Sequence, residues 1–309
     1  MFKESCMRTA CLTVFYDGMQ QFADEYIQCI KDQTNQDFTL VVINDGFPGD
    51  LPALLENLSI STTIIEETST PQQNRLKGMQ YCSHQGFDVI ICSDSDETMY
   101  PDRIEQNISY FELNPDRDLV FNNSVGEDQG RYFDLFLKPK IVFDDIVDIN
   151  VLGYGAMNLR CDLVPFFVSL ANEQIDVFDW WIGLRYLIEN ENVEVLDQAR
   201  NHYRMHEGNI IGPVFEVNLH NIKIGLKVKQ AMYSEMLTHC STHGLVEKKI
   251  FKEKLDELSA INIFIIANSL DRYVELVAQY LHNRDKIYWW ENIVSLNKLG
   301  GSYDYERDK

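Results

Sequence analysis

Along the first two hundred residues, short continuous apolar runs alternate with segments whose apolar side chains recur at helical spacing. Residues 11–16 (CLTVFY) predict a strand, and 19–32 a helix with Phe22, Tyr26, Ile27 and Ile30 on one face. A second strand is predicted over 38–43 (FTLVVI), stopped by Asn44, Asp45 and Gly46. The same reading gives a short helix near 51–58, a strand near 60–66 and a helix over 71–84 opened by Pro71. A strand over 87–93 and a helix over 101–113 follow. This β-α-β-α order predicts an α/β fold with a mostly parallel sheet flanked by helices.

Residues 115–160 are less regular, with strands predicted at 118–122 and 131–137 and a glycine-rich LGYGAMN at 152–158. Helices are expected at 162–170 and 176–190, and a pair of short strands over 193–206. From 215 to 297 the pattern turns helical: Ile250, Leu255, Leu258, Ile261 and Ile265 keep that spacing, and Leu270, Val274, Val277 and Leu281 continue it. Gly212-Pro213 is the natural break, dividing a domain at 1–212 from a helical C-terminal extension at 213–309. Near the end, Tyr288, Trp289 and Trp290 stand beside Ile293, Val294 and Leu296. Such a face serves packing on the protein or a homodimer, or else a peripheral contact with a membrane interface.

Composition narrows the partners. The 309 residues are 45% apolar and 12% aromatic, enough to bury a core. A net charge of −21 excludes generic nucleic-acid binding, which needs a basic face. Residues 215–309 hold 13 basic and 13 acidic side chains, so the whole excess lies in 1–214. The tail's neutrality weighs against attraction to anionic lipid, and its aromatic stretch 286–298 carries just Lys286 and Lys298 as cations. Seven scattered cysteines without a C-x-x-C pair suit reduced thiols in a cytoplasmic protein. No run resembles a signal peptide or a membrane span, so the sequons at Asn57, Asn107 and Asn122 are expected to be idle.

The chemistry concentrates in VIICSDSDETMYPDR, residues 89–103. Val89–Cys92 reads as a strand buried on both faces, and Asp94, Asp96 and Glu97 crowd its end. Such carboxylates repel one another unless a cation or a donor-rich ligand lies between them. In open parallel sheets, ligands sit at the carboxyl ends of strands, where Tyr16-Asp17, Asn44-Asp45 and Asp94-x-Asp96 all fall. Hard cations such as Mg²⁺ or Mn²⁺ take oxygen ligands and share them with diphosphates. The plain alternative is an acidic doublet that ends a strand or caps a helix.

Five segments in order resemble glycosyltransferase family 2. They are FADEYIQCIKDQTNQDFTLVVINDGF, PQQNRLKGMQYC, IICSDSDETMYPDRIE, FDWWIGLRYLIENENVEVLD and HYRMHEGNIIG, covering about residues 10–212. The resemblance implies a GT-A, Rossmann-like domain and an inverting, metal-dependent transfer of a sugar. The donor would be UDP- or dTDP-linked, and the acceptor a glycan or glycolipid hydroxyl in bacterial surface-polysaccharide assembly. It implies that Asp45 reads the pyrimidine base with Phe15 or Tyr16 lining the pocket, and that Arg75 lies near the donor. Asp94 would hold the ribose or help with the metal, a Mn²⁺ or Mg²⁺ ligated by Asp96. His206 falls where some members contact metal or phosphate. Asp179 matches the catalytic base, with Trp180 and Trp181 beside it as candidate sugar platforms. Phe178 stands where the family usually has an acidic residue, and Asp176 lies three before the base. Without the resemblance, Asp179 is an N-terminal helix carboxylate, Arg75 a helix-surface cation and His206 a surface histidine.

Two other readings fit part of the pattern. IICSDSDETM also resembles the strand and D-x-D-x-T of haloacid-dehalogenase-type phosphatases, with Asp94 as nucleophile and Asp144-Asp145 as a metal pair; that fold opens with this strand, whereas a full β-α-β-α precedes it here. A catalytically silent GT-A binding protein is the second.

Overall fold

A computed structural model describes residues 7–128, 131–134, 138–170, 177–206, 217–283, 287–288 and 290–300. The Gly212-Pro213 break, Asp176, Lys286 and Trp289 lie outside the described residues. The chain divides into two compact units. The first comprises Met1–Phe143, Leu152–Glu173 and Phe178–Ile210; the second comprises Asp144–Val151, Gln174–Val177 and Ile211–Lys309. The second unit therefore takes in Asp144–Val151 as well as the C-terminal extension.

In chain order the first unit runs β1 (Thr9–Tyr16), α1 (Gln20–Lys31), β2 (Thr39–Asp45), α2 (Leu51–Leu55), β3 (Ser61–Glu66), α3 (Pro71–His84) and β4 (Val89–Cys92). It continues with β5 (Thr98–Met99), α4 (Arg103–Leu113), β6 (Leu119–Asp128), β7 (Arg131–Asp134) and β8 (Lys140–Ile141). After α5 (Phe143–Ile146), where the chain enters the second unit, come a 3₁₀ turn at Tyr154–Ala156, β9 (Met157–Arg160), α6 (Val164–Leu170), α7 (Phe178–Glu189) and β10 (Val193–Arg204). The sheet order is β3-β2-β1-β4-β9-β6-β10-β5, with β7 on β6 and β8 on β10. Strands β3, β2, β1 and β4 are mutually parallel, as are β6 and β10; β9 inserts antiparallel between β4 and β6.

Local chemistry explains these elements. Pro71 opens α3 and the Thr70 hydroxyl accepts the Gln73 N–H, while the Asp50 carboxylate accepts Ala53 N–H at the start of α2. Helix α3 lies tight on the sheet because Gly78 has no side chain: a Cβ there would come within 2.6 Å of Leu12 Cδ1. Strand β4 is apolar throughout because both its faces are covered. Where a pair of short strands was expected over 193–206, β10 is one strand, Val193–Arg204, with a register shift between Leu196 and Asn201. Asp197 and Gln198, at that shift, are exposed, and the strand runs on through them.

Beneath β4 lies a buried polar knot. Arg103 donates to the Asn122 side-chain oxygen (2.7 Å) and to Cys92 O (2.8 Å). Asn107 and Asn122 exchange amide hydrogen bonds at 3.0 Å, and both are fully buried. The six described cysteines are free and buried, and burial pushes the Cys29 thiol up to about 11.

In the second unit, α8 (Leu219–His243), α9 (Lys248–Ala267) and α10 (Leu270–Leu281) meet the expected helical pattern. The buried stripe of α9 is Phe251, Leu258, Ile261 and Phe264, one step from the expected Ile250 and Ile265, which are partly exposed. Helix does not continue to 297. Residues 290–300 form turns, beginning with Trp290 at φ 69, and the Tyr273 hydroxyl both donates to Val294 O (2.7 Å) and accepts Val294 N–H (3.0 Å). A side chain satisfying backbone groups replaces the helical ladder, which apolar spacing does not reveal. Trp290, Ile293, Val294 and Leu296 are buried, Ile293 lying close to Gly225 of α8. No helix among the described residues is long and apolar enough to cross a membrane.

Candidate functional site

The stretch after β4 alternates like a strand. Ser93, Ser95 and Glu97 turn inward and are buried; Asp94 and Asp96 turn to the rim and are partly exposed. The inward serines fasten the loop: Ser93 Oγ meets Tyr26 OH at 2.8 Å, and Ser95 Oγ donates to Val14 O at 2.6 Å. Glu97 accepts the side-chain N–H of buried Asn201, which in turn accepts from Ser124. Burial, then the nearby Asp94 and Asp96 charges, raise the Glu97 pKa well above the carboxylate range.

Each rim aspartate has its own partners. Arg75 Nη2 donates to Asp94 Oδ1 at 2.9 Å, and Gly155 N–H donates to Asp94 Oδ2 at 3.1 Å. Burial pushes the Asp94 carboxyl upward, and the Arg75 charge partly offsets this. The Arg75 guanidinium lies over the Tyr154 ring, 4.1 Å from its centroid, an arrangement that fixes its plane. Gly155 permits the approach: a Cβ there would lie 2.7 Å from Glu97 Oε2 and 3.2 Å from Asp94 Oδ2. Asp96 Oδ2 accepts Tyr16 OH at 3.2 Å and lies 3.0 Å from His206 Nε2. The His206 ring packs on Phe22, with centroids 4.8 Å apart.

The structure thus brings Tyr16, Arg75, Asp94, Asp96 and His206 together on one rim. Asp45 ends β2 in register with Tyr16, and the adjacent Asn44 amide donates to Glu66 at 2.8 Å. Phe15 faces away: it is fully buried, edge-on to Tyr26 and Phe47, and the alternation of β1 leaves Tyr16 as the rim member of the pair. Asp179 lies in the first turn of α7, where its Oδ1 accepts Trp180 N–H at 3.0 Å. It is near enough to Arg75 and Tyr203 for its charge to raise both their pKa values. Trp180 and Trp181 are fully buried, Trp181 stacking on Phe178 at 6.1 Å, so they are core residues rather than sugar platforms.

Sequence reasoning missed Tyr154, Gly155 and Asn201, and counted Glu97 only among the crowded carboxylates, not as the buried partner of Asn201. The Gly153-Tyr154-Gly155 triplet was a signal for the first two, since glycines beside a ring often permit close approach. Nothing local marked Asn201.

A family model described as Glycosyl transferase family 2 matches residues 11–148. The fold is similar to S. aureus TarS 1–349 in complex with UDP-GlcNAc, at TM-score 0.58 and 14% identity, covering 88% of this chain and 92% of that one. The same protein in complex with UDP gives 0.56 and 13%, covering 88% and 91%. A longer S. aureus TarS structure gives 0.54 and 12%, covering 75% of this chain and 40% of that one. No curated protein matches significantly. Residues 11–148 thus form a glycosyl transferase family 2 domain on a GT-A fold, and the chain is a glycosyltransferase.

Proposed function

We propose that the chain transfers a sugar from a UDP- or dTDP-linked donor to a glycan or glycolipid hydroxyl with inversion. The carrying observation is the rim where Asp96, His206 and Tyr16 converge beside the Arg75–Asp94 pair. The UDP-GlcNAc and UDP complexes of the TarS fold-mate support a uridine nucleotide donor.

The donor set fits Mn²⁺ or Mg²⁺. No group of three His, Cys, Asp or Glu among the described residues forms a protein cage, but such ions commonly bind through one or two protein ligands, water and phosphate oxygens. Asp96 and His206, already side by side, would hold it, while Asp94 is committed to Arg75 and Gly155. Bound there, the cation supplies charge stabilisation for the departing diphosphate. Arg75, with its plane fixed by Tyr154, presents a cation to the donor, and Asp45 and Tyr16 edge the base pocket.

Asp179 accepts the acceptor hydroxyl's proton as that oxygen bonds to the anomeric carbon and the carbon–diphosphate oxygen bond breaks. A screen of UDP, dTDP and their sugars by thermal shift, with and without Mn²⁺, tests the reading. Metal-dependent stabilisation by one uridine or thymidine diphosphate is expected. Indifference to every nucleotide, with or without metal, overturns it. The phosphatase reading predicts phosphate release from a phosphomonoester instead, and places its second metal pair on Asp144-Asp145, which belong to the other unit.

A further inference from the structure

The second unit contains a cavity of about 140 Å³ lined entirely by its own residues. Its walls include Leu258, Ile261, Leu281 and Val294, and its polar groups include three lysines and three carboxylates. The carboxylates are accounted for. Asp148 accepts Lys254 Nζ at 2.9 Å and Tyr233 OH at 3.3 Å. Glu257 pairs with Lys254 at 3.5 Å, and Glu291 accepts Tyr288 N–H at 3.0 Å. Lys229 is different. It is 2% exposed, and its ammonium makes one long hydrogen bond, to Ile293 O at 3.3 Å. An ammonium carries three donors, and a buried one left underbonded is costly. Lys298, exposed at the mouth, adds a second cation not bound to these carboxylates.

We propose that this cavity is a binding site for a small monocarboxylate with an apolar body, its carboxylate accepting from Lys229 and its body against Leu258, Ile261 and Val294. Asp148 acts on Lys229 through its charge, but Ile293 O is the ammonium's one hydrogen-bond acceptor, and the apolar walls select against a bare inorganic ion. The three lysines are already balanced by three carboxylates, so a singly charged ligand is favoured over a phosphate dianion. Burial lowers the Lys229 pKa to about 8, which leaves the amine mostly charged at neutral pH and able to donate.

The test is titration calorimetry of the full chain at pH 7 with benzoate and butyrate, against benzamide, butyramide and inorganic phosphate. Saturable binding of a carboxylate, weakened at least about tenfold in Lys229→Met, is expected, one charge-assisted hydrogen bond being worth that much. The neutral amides and phosphate should bind at least tenfold more weakly. No saturable carboxylate binding, or amides binding as well as acids, overturns the proposal. Should Lys229→Met fail to fold, Lys298→Glu reads the same site from its exposed mouth. It should weaken benzoate and leave benzamide unchanged, and unchanged benzoate affinity counts against the site.

Discussion

Asp96 and His206 lie 110 residues apart in sequence and 3.0 Å apart in space, joining the end of β4 to the exit of β10. A surface histidine has no need of that partner, and a carboxylate–imidazole pair at a strand-end rim suits a divalent cation. Asp96→Ala and His206→Ala should each abolish or sharply lower Mn²⁺-dependent donor binding while leaving the circular dichroism spectrum unchanged. Full turnover in Asp96→Ala, or activity indifferent to a chelator, would remove the metal from the mechanism.

Asp179 accepts Trp180 N–H in the first turn of α7, and its charge acts on Arg75. Asp179→Asn keeps size and helix position but cannot take a proton. Transfer should fall about 10²–10⁴-fold with donor affinity retained. Collapse of donor binding would instead give Asp179 a binding role, and no change in either would make Asp176 the candidate.

The contact of Gly155 with Glu97 allows a double-mutant test. Alanine at 155 has no φ penalty, but its Cβ would press on the Glu97 and Asp94 carboxylates. Gly155→Ala should cost about 1–3 kcal/mol and weaken nucleotide binding. Shortening the neighbour, in Gly155→Ala with Glu97→Asp, should recover part of both losses, giving non-additive changes in urea melts. Strict additivity would place the strain elsewhere.

Lys229 sets a pH dependence with a defined sign. Its pKa is lowered from 10.5 to about 8 in the folded chain, so below about pH 8 the folded state carries the full cost of a buried charge. From pH 8 to 10.5 the unfolded chain holds the extra proton, and stability rises with pH on account of this group. Lys229→Met should therefore be more stable than the parent at pH 7 by about 1–3 kcal/mol, part of the gain being lost because Asp148 forfeits a cation. The advantage should shrink between pH 8 and 10. An advantage that grows with pH contradicts a lowered pKa.

Much of the first unit was legible because its signals are local. The apolar runs of β1, β2 and β4 and the prolines and caps before α2 and α3 lie within a few residues of what they determine. The rim was legible for a topological reason: parallel strands end on one side, so Tyr16, Asp45 and Asp94 had to share it. What stayed hidden depends on distant partners. Trp180 and Trp181 read as ligand platforms, whereas both are fully buried and Phe167 and Phe178 lie against Trp181. Asn201 reaches Glu97 across more than a hundred residues, and the turns at 290–300 exist because Tyr273 serves their backbone.

The reciprocal amide pair of Asn107 and Asn122 bears on how the protein should be produced. Both side chains sit in Asn-x-Ser acceptor sequences, and each is sealed in the interior against the other and Arg103. In a eukaryotic secretory host, oligosaccharide is added to chains before they finish folding, and a glycan on either nitrogen is too bulky for this interior. Secreted material should be retained and degraded unless Asn107 and Asn122 escape modification, and expression in a bacterial cytosol avoids the conflict altogether.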